Sequence, residues 1–439
     1  MNTNLERVAA KAKKETKLKF TSLAHHITKE LMWESLARMS KCTAPGIDDE
    51  TVGGALKDFD LWIEKLMNSI HQKNYKPPAV RRVWIPKPGK SEKRPIGVPT
   101  VVDRALQRST AEVLSAIYEQ DFLECSFGGR PERGAHNALS TLNEIIAGKK
   151  ISWVLEADLK NFFGTLDHAW ILEFVQHRVG DPRIITMIKR WLKAGVMENG
   201  LIQASDVGTP QGGSISVLLS NIYLHYVLDL WFEKIVKPKL KGEAYLIRYI
   251  DDFIVCFQYR SDANRFQEVL EKRLGKFSLT LEPNKTRLIE FGRFASKHAH
   301  ERDKKLETFY FLGFTHYCTR NRKGNFMVGR KTEKSRLRRS IIKMQATLRE
   351  IRHFPIKEQV TAINSVLRGH YNYYGMAGNL KSLFKLYHRT EQYWRRMLSS
   401  RCSKGYVTWE KFQAIKSMFP LLRPKLSIPY TELKAYAML

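Results

Sequence analysis

Cysteine is scarce in this chain: five residues among 439, at positions 42, 125, 256, 318 and 402, none spaced as C-x-x-C and none grouped with histidine at zinc spacing. That scarcity excludes a disulfide-stapled scaffold and a zinc module, and reads as buried or incidental thiols in a reducing cytosol. His298 and His300 stand in a polar, charged stretch, the ordinary setting of surface histidine rather than of a metal site. No uninterrupted apolar run approaches the ~18 residues of a membrane-spanning helix. The Lys-rich N-terminus lacks the apolar stretch and cleavage site of a secretory signal, so a membrane-free, cytosolic chain is expected. Internal repeats and low-complexity linkers are also missing, which points to one connected assembly. A phosphate loop is excluded too: Gly89-Lys90-Ser91 would need glycine at position 84, and that residue is Trp84.

Acidic residues are the minority. Lys plus Arg number 74 against 44 Asp plus Glu, a formal net charge of +30. Such a field favours phosphate polyanions through salt-sensitive counterion release, so nucleic acid is the expected partner. A chain of this length exceeds one ordinary core, and several subdomains are expected. Apolar residues make up 43%, normal for a globular protein.

Apolar spacing predicts helices over about 23–39 and 50–72, separated by a Pro-Gly loop at 42–49. Two short apolar runs around Lys-Pro-Gly-Lys-Ser predict a β-hairpin over 80–100. Helices are expected at 103–120, 134–147, 168–179, 182–194 and 215–240, and again beyond about 333. The run Ile151 to Ala157 reads as a buried strand ending at Asp158, and Tyr245 to Phe257 as two strands joined at Ile250-Asp251-Asp252.

Adjacent carboxylates between apolar strands repel one another and are costly to desolvate. One reading is a solvated Asp-Asp turn. The other is a divalent-ion site, since Mg²⁺ takes a few carboxylates together with substrate phosphates. Asp158 favours the second: a strand end beside a hairpin tip would gather Asp158, Asp251 and Asp252, the ligand set for two-metal phosphoryl transfer.

The chain resembles group II intron-encoded and group II intron-like reverse transcriptases. The resemblance runs in order from about residue 43 to 400 through Pro45-Gly46-Ile47-Asp48, Trp84-Ile85-Pro86-Lys87-Pro88, Arg94-Pro95-Ile96-Gly97-Val98-Pro99-Thr100 and Asp103-Arg104-Ala105-Leu106-Gln107. It continues through Phe127-Gly128-Gly129-Arg130-Pro131, Glu156-Ala157-Asp158-Leu159-Lys160-Asn161-Phe162-Phe163, Gly208-Thr209-Pro210-Gln211-Gly212-Gly213, Arg248-Tyr249-Ile250-Asp251-Asp252-Phe253, Glu282-Pro283-Asn284-Lys285-Thr286 and Phe311-Leu312-Gly313-Phe314. It implies an α+β right-hand polymerase fold: an N-terminal helical extension with a template-lid loop (1–75), fingers and palm built on antiparallel sheet plus helices (76–320), and a helical thumb (321–439). It implies an RNA-directed DNA polymerase that also accepts DNA templates, uses two Mg²⁺ ions with Mn²⁺ as the alternative, and takes template-primer and dNTPs as partners.

Position by position, the resemblance makes Asp158, Asp251 and Asp252 the catalytic, metal-binding carboxylates. Lys87 and Arg94 would hold the triphosphate, where Lys offers a point charge and Arg bidentate bonds. Phe163 would be the gate against a ribose 2′-OH, with Phe162 as the other register and a core aromatic as the plain alternative. Gln211 would lie under the incoming base. Tyr249, Ile250 and Lys285 would border the primer end. The textures Leu367 to Gly375 and Trp394-Arg395-Arg396 match the family's thumb, where interleaved Arg and aromatics suit nucleic acid.

Three departures stand out. Asp49 stands where relatives commonly have Gly, Val217 where Pro is usual, and Ile250 where Ala is common. Ile250 is expected to alter primer-end placement, toward short or mispaired primers or Mn²⁺. With no Cys-rich endonuclease segment in the sequence, a free-standing, host-serving enzyme is expected, joining short annealed ends in break repair. A splicing maturase and an antiphage enzyme are the competing readings, and a dimer is left open.

Overall fold

A computed structural model describes residues 3–86, 92–198, 201–203, 213–303, 305–402 and 405–438. Lys87 and Gln211, both expected at the nucleotide, lie outside the described residues.

The chain opens with helices α1 (Thr3–Lys14), α2 (Lys29–Ala37), α3 (Val52–Lys57) and α4 (Phe59–His71). The helix expected from Leu23 begins only at Lys29, because the Thr28 hydroxyl caps it by accepting from Leu31 N. The expected 50–72 helix is broken in two at Asp58. Strands β1 (Val80–Pro86) and β2 (Lys93–Val98) form the expected hairpin. Helices α5 (Val101–Tyr118) and α6 (Ala135–Gly148) lead to β3 (Trp153–Asp158). Next come α7 (Phe162–Thr165), α8 (His168–Gln176), α9 (Pro182–Leu192) and two short strands, β4 (Val196–Glu198) and β5 (Leu201–Gln203). These extend the hairpin into a sheet of order β2-β1-β4-β5, in which β1 and β4 run parallel.

Helix α10 (Ser214–Leu224) continues through two π-helical segments, His225–Asp229 and Phe232–Val236. By length and composition Ser214–Lys239 would reach across a bilayer, but 78% of its most apolar stretch is buried inside the molecule. Strands β6 (Ala244–Tyr249) and β7 (Asp252–Phe257), helix α11 (Arg260–Gly275) and strand β8 (Arg287–Glu290) complete the central antiparallel sheet, order β6-β7-β3-β8. After α12 (Ala295–Glu301), strands β9 (Thr308–Phe311), β10 (Phe314–Arg320) and β11 (Phe326–Thr332) form a third sheet. Among the described residues five helices follow: α13 (Lys334–Glu350), α14 (Ile356–Tyr374), α15 (Leu380–Ser399), α16 (Trp409–Met418) and α17 (Leu433–Tyr436). The expected boundary at 320/321 falls in the turn between β10 and β11, so the helical segment starts at Lys334 rather than Asn321.

Side chains alternate across a strand, and both faces of the central sheet are buried. Leu155, Ala157, Phe253, Val255 and Phe257 pack into the helical core with α5, α8 and α10. Val154, Ile254 and Cys256 pack the opposite way, toward α6 and β9–β11. Each fully buried phenylalanine contributes about 2–3 kcal/mol by area. This two-sided burial explains the near-continuous apolar runs of β3 and β7. The C-terminal helices have their own core around Met344, Leu348, Ile363, Leu367 and Trp394. Trp394 is fully buried, donating to Gln359 Oε1 at 2.8 Å, so it is core and not a nucleic-acid contact. Arg395 instead stacks on Trp409, 4.5 Å from its ring.

Candidate active site

The three aspartates are brought together by strand register. Asp158, the last residue of β3, is the cross-strand partner of Asp252, the first residue of β7. Tyr249 pairs with Asp252 across β6 and β7, leaving Ile250-Asp251 as a two-residue loop at the hairpin tip. Directly opposed side chains in such a ladder have Cβ atoms about 5 Å apart, and like charges there destabilise. Lys285 answers that repulsion. The turn Glu282–Thr286 is clipped to the strand end by Glu282 N donating to Asp158 O at 2.8 Å, and the Lys285 ammonium pairs with the Asp158 carboxylate.

The electrostatics follow. Burial, then the nearby Asp158 and Asp251 charges, push the Asp252 carboxyl up to about 8. Burial also raises Asp251, with Asp158 adding to the effect. Burial works against the Lys285 ammonium, but its bond to Asp158 and the neighbouring carboxylates outweigh this and hold it above its usual range. Three hard oxygen donors in mutual repulsion suit a divalent cation. Among the described residues, however, no group of three His, Cys, Asp or Glu side chains converges closely enough to enclose a metal ion. The expected triad of ligands is therefore aligned by the backbone but not closed. Lys285 supplies a counter-charge to this cluster through its ion pair with Asp158.

The tip is held by a buried network that the sequence reading missed. Ile250 adopts φ 59°, a region that β-branched residues rarely enter. Such a conformation persists only where the surroundings over-determine it. Arg248, with no exposed surface, donates Nε and Nη2 to the two carboxylate oxygens of Asp229 at 2.7 and 2.6 Å. Its Nη1 donates to Asn221 Oδ1 at 2.9 Å and to the Ile250 carbonyl at 3.0 Å, and its Nη2 also donates to Ser126 Oγ at 2.8 Å. Asn221 in turn donates to the Gly128 carbonyl at 2.8 Å. A Cβ on Gly128 would lie 2.7 Å from Ile250 N and Cγ1, so this glycine is the only residue that fits beneath the tip. The available signal was a lone aspartate, Asp229, in the apolar stretch Leu218–Phe232. Such a residue needs a buried partner.

The remaining expected residues fall as follows. Phe162 is buried and Phe163 is half-buried, their rings 5.3 Å apart and edge to face. Phe162 thus belongs to the core, and Phe163 packs against that core with part of its surface exposed. Arg94 stands exposed on β2 opposite Ile85, on a different sheet from the carboxylates. Tyr249 and Ile250 are half-buried at the hairpin tip. Val217 packs on Gly129, whose φ of 70° and missing Cβ make room for it. Asp49 has φ 54°, a conformation that favours glycine, and pairs with Arg81 at 2.6 Å, tethering the loop after α2 to β1.

An open cavity of about 210 Å³ adjoins Asp158 and Asp252 and is lined by the β9–β10 turn and by Arg336 of α13. Leu312 and Gly313 form that turn with φ 47° and 81°, the pattern of a type I′ hairpin. Tyr373 of α14 donates to the Leu312 carbonyl at 2.9 Å. The C-terminal helices are thereby joined to the rim of the carboxylate site.

Residues 85–316 match the family model described as reverse transcriptase (RNA-dependent DNA polymerase). The chain is 26% identical to the group II intron-encoded protein LtrA of Lactococcus lactis subsp. cremoris, over 97% of this chain and 81% of that one. It is 34% identical to protein YkfC of Escherichia coli K12, over 46% of this chain and 53% of that one. It is 24% identical to nuclear intron maturase 3, mitochondrial, of Arabidopsis thaliana, over 40% of this chain and 28% of that one.

Proposed function

Because this chain belongs to the reverse transcriptase family and is an RNA-directed DNA polymerase of the group II intron type, we propose that Asp158, Asp251 and Asp252 are the carboxylates at which it joins nucleotides. The observation that carries this is the in-register pairing of Asp158 with Asp252 beside the Asp251 tip. Polymerases of this family use divalent metal ions. Here two Mg²⁺ ions, or Mn²⁺ in their place, would be held by the three aspartates, and would supply charge neutralisation for the phosphates and activation of the primer hydroxyl.

The chain's own residues do the rest. Lys285, paired with Asp158, would lie beside the primer phosphates. Phe163 rejects a 2′-OH by contact. Lys87 and Arg94 bind the triphosphate, and Gln211 supports the incoming base. Ile250, fixed at the tip with Tyr249, shapes where the primer end rests. A bulky β-branched side chain there suits short annealed ends, which supports a free-standing cytosolic enzyme of break repair. A maturase role is the second reading, favoured by the intron-related proteins among the relatives, the group II intron-encoded protein and the nuclear intron maturase included.

The test is extension of a DNA primer on RNA with Mg²⁺ and dNTPs by the purified chain and by Asp251→Asn. Loss of about three orders of magnitude, the scale of several kcal/mol of metal-borne stabilisation, is expected. Equal extension by both proteins would refute the assignment. A chain acting only as a maturase would bind one structured RNA equally well with Asp251→Asn and extend no primer.

A further inference from the structure

A basic groove with exposed aromatic side chains lies at the opposite end of the central sheet from the carboxylates. Trp153 opens β3 and Asp158 closes it, so the two ends stand roughly 17 Å apart at the rise of an extended strand. Around Trp153 three concavities adjoin. The first, of about 480 Å³, runs from Trp153 and Arg260 past His298 to Lys305. The second, of about 650 Å³, shares Trp153 and Arg260 with it and adds Lys150, Tyr259, Arg293 and Phe294. The third, of about 440 Å³, shares Arg293 and Phe294 with the second and reaches Arg320. Shared walls make them one groove.

Its chemistry is uneven in a telling way. Lys150, Arg260, Arg293, Arg302, Lys305 and Arg320 line it against two carboxylates, Glu290 and Glu307. Glu290 is already answered by Arg302 at 2.9 Å and His298 at 2.5 Å. Among these cations stand open ring faces. Phe294 is 54% exposed and Tyr259 46% exposed. Phe294 stacks on His298 at 6.5 Å, and Arg260 covers the Trp153 ring at 5.1 Å. The fold holds Phe294 outward deliberately. Gly292 takes φ 150°, and a Cβ there would lie 2.3 Å from the Ile151 carbonyl, so only glycine lets the chain leave β8 at this angle. Arg293 then anchors the turn by donating to the Ala147 carbonyl at 3.0 Å.

Interleaved cations and free aromatic faces suit a strand whose bases are unstacked and whose phosphates are spaced along a groove. A duplex offers no base faces to Phe294, so it gains only the charge term. We propose that this groove binds a single-stranded segment of nucleic acid, independently of template-primer in the polymerase site. Phosphates lie along Arg260, Arg293 and Lys150, and a base stacks on Phe294.

The full chain is first saturated with an RNA-DNA template-primer duplex, then titrated with fluorescein-labelled oligouridylate or oligodeoxythymidylate of about 10 nucleotides, within the usual site sizes. Salt-sensitive binding in addition to the duplex is expected. Phe294→Ala combined with Arg293→Ala weakens it by about tenfold or more, Phe294→Trp restores it, and primer extension stays unchanged in each. Tighter binding of the uridylate or of the deoxythymidylate identifies RNA or DNA as the source, and either supports the site. An Asp251→Ala chain, inactive in extension, keeps the oligonucleotide, so this site and the catalytic assignment fail separately. Displacement of the oligonucleotide by template-primer, equal competition by blunt duplex, or unchanged binding by the double variant overturns the proposal.

Discussion

Removing Asp229 is expected to damage this protein more than removing almost any surface charge. Arg248 and Asp229 form a two-pronged ion pair with no exposed side-chain surface on either partner. Exposed pairs are worth about 0–1 kcal/mol. A buried pair broken on one side leaves an unpartnered charge and costs about 3–5 kcal/mol, a large part of the ~5–15 kcal/mol that holds a typical fold together. Asp229→Ala is therefore expected to lower the unfolding free energy by that amount. Arg248→Met with Asp229→Leu should recover most of the stability, because an apolar pair of similar volume is often neutral or better. It should not recover catalysis. The Ile250 carbonyl and Asn221 Oδ1 lose their donor, and the hairpin tip is freed from its left-handed conformation. Displacement of a reacting group by about 1 Å can cost about 100-fold. The assay pairs urea denaturation with single-nucleotide insertion. A stable and fully active double variant, or an Asp229→Ala protein within about 0.5 kcal/mol of the parent, would refute the reasoning.

Other outcomes follow from the same geometry. Gly128→Ala should cost about 1–3 kcal/mol by overpacking and slow insertion, whereas Gly148→Ala, with nothing within 4 Å of its added methyl, should change neither. Phe162→Ala should cost about 3–5 kcal/mol, while Phe163→Ala should leave the fold intact and raise ribonucleotide insertion relative to deoxyribonucleotide insertion. Burial raises the Asp181 carboxyl, but bonds from Arg183 and from the Leu23 and Ala24 amides outweigh it and hold the group down at about 2. Its contribution is complete above its ordinary 3.8 and is lost as pH falls toward about 2. Proteolysis across that window should release the N-terminal segment early, and Asp181→Ala should remove the pH dependence.

Much of the site was legible because strand ends are written in short-range pattern. Asp158 ends an apolar run and Asp251-Asp252 interrupts another, which marks the strand ends, while the pairing of β3 with β7 joins residues far apart in the chain. Phe163 was left in two registers because adjacent aromatics look alike in sequence, and only burial separates them. The short strands β4, β5 and β8 went unread: at 3, 3 and 4 residues they carry too little alternation. The third sheet also went unread, although Phe309, Phe311, Phe314, Cys318 and Val328 of its strands are buried in the core. The Arg248–Asp229 pair joins residues 19 apart through a π-helical bend, a geometry that apolar periodicity does not encode.

The most direct test of the central claim is single-turnover insertion of one dNTP on a preformed RNA-DNA template-primer complex, comparing the parent with Asp158→Asn and Asp252→Asn over a Mg²⁺ titration. Both variants should bind the duplex as the parent does and insert about three orders of magnitude more slowly at saturating Mg²⁺. Insertion at the parental rate by either variant would contradict the account.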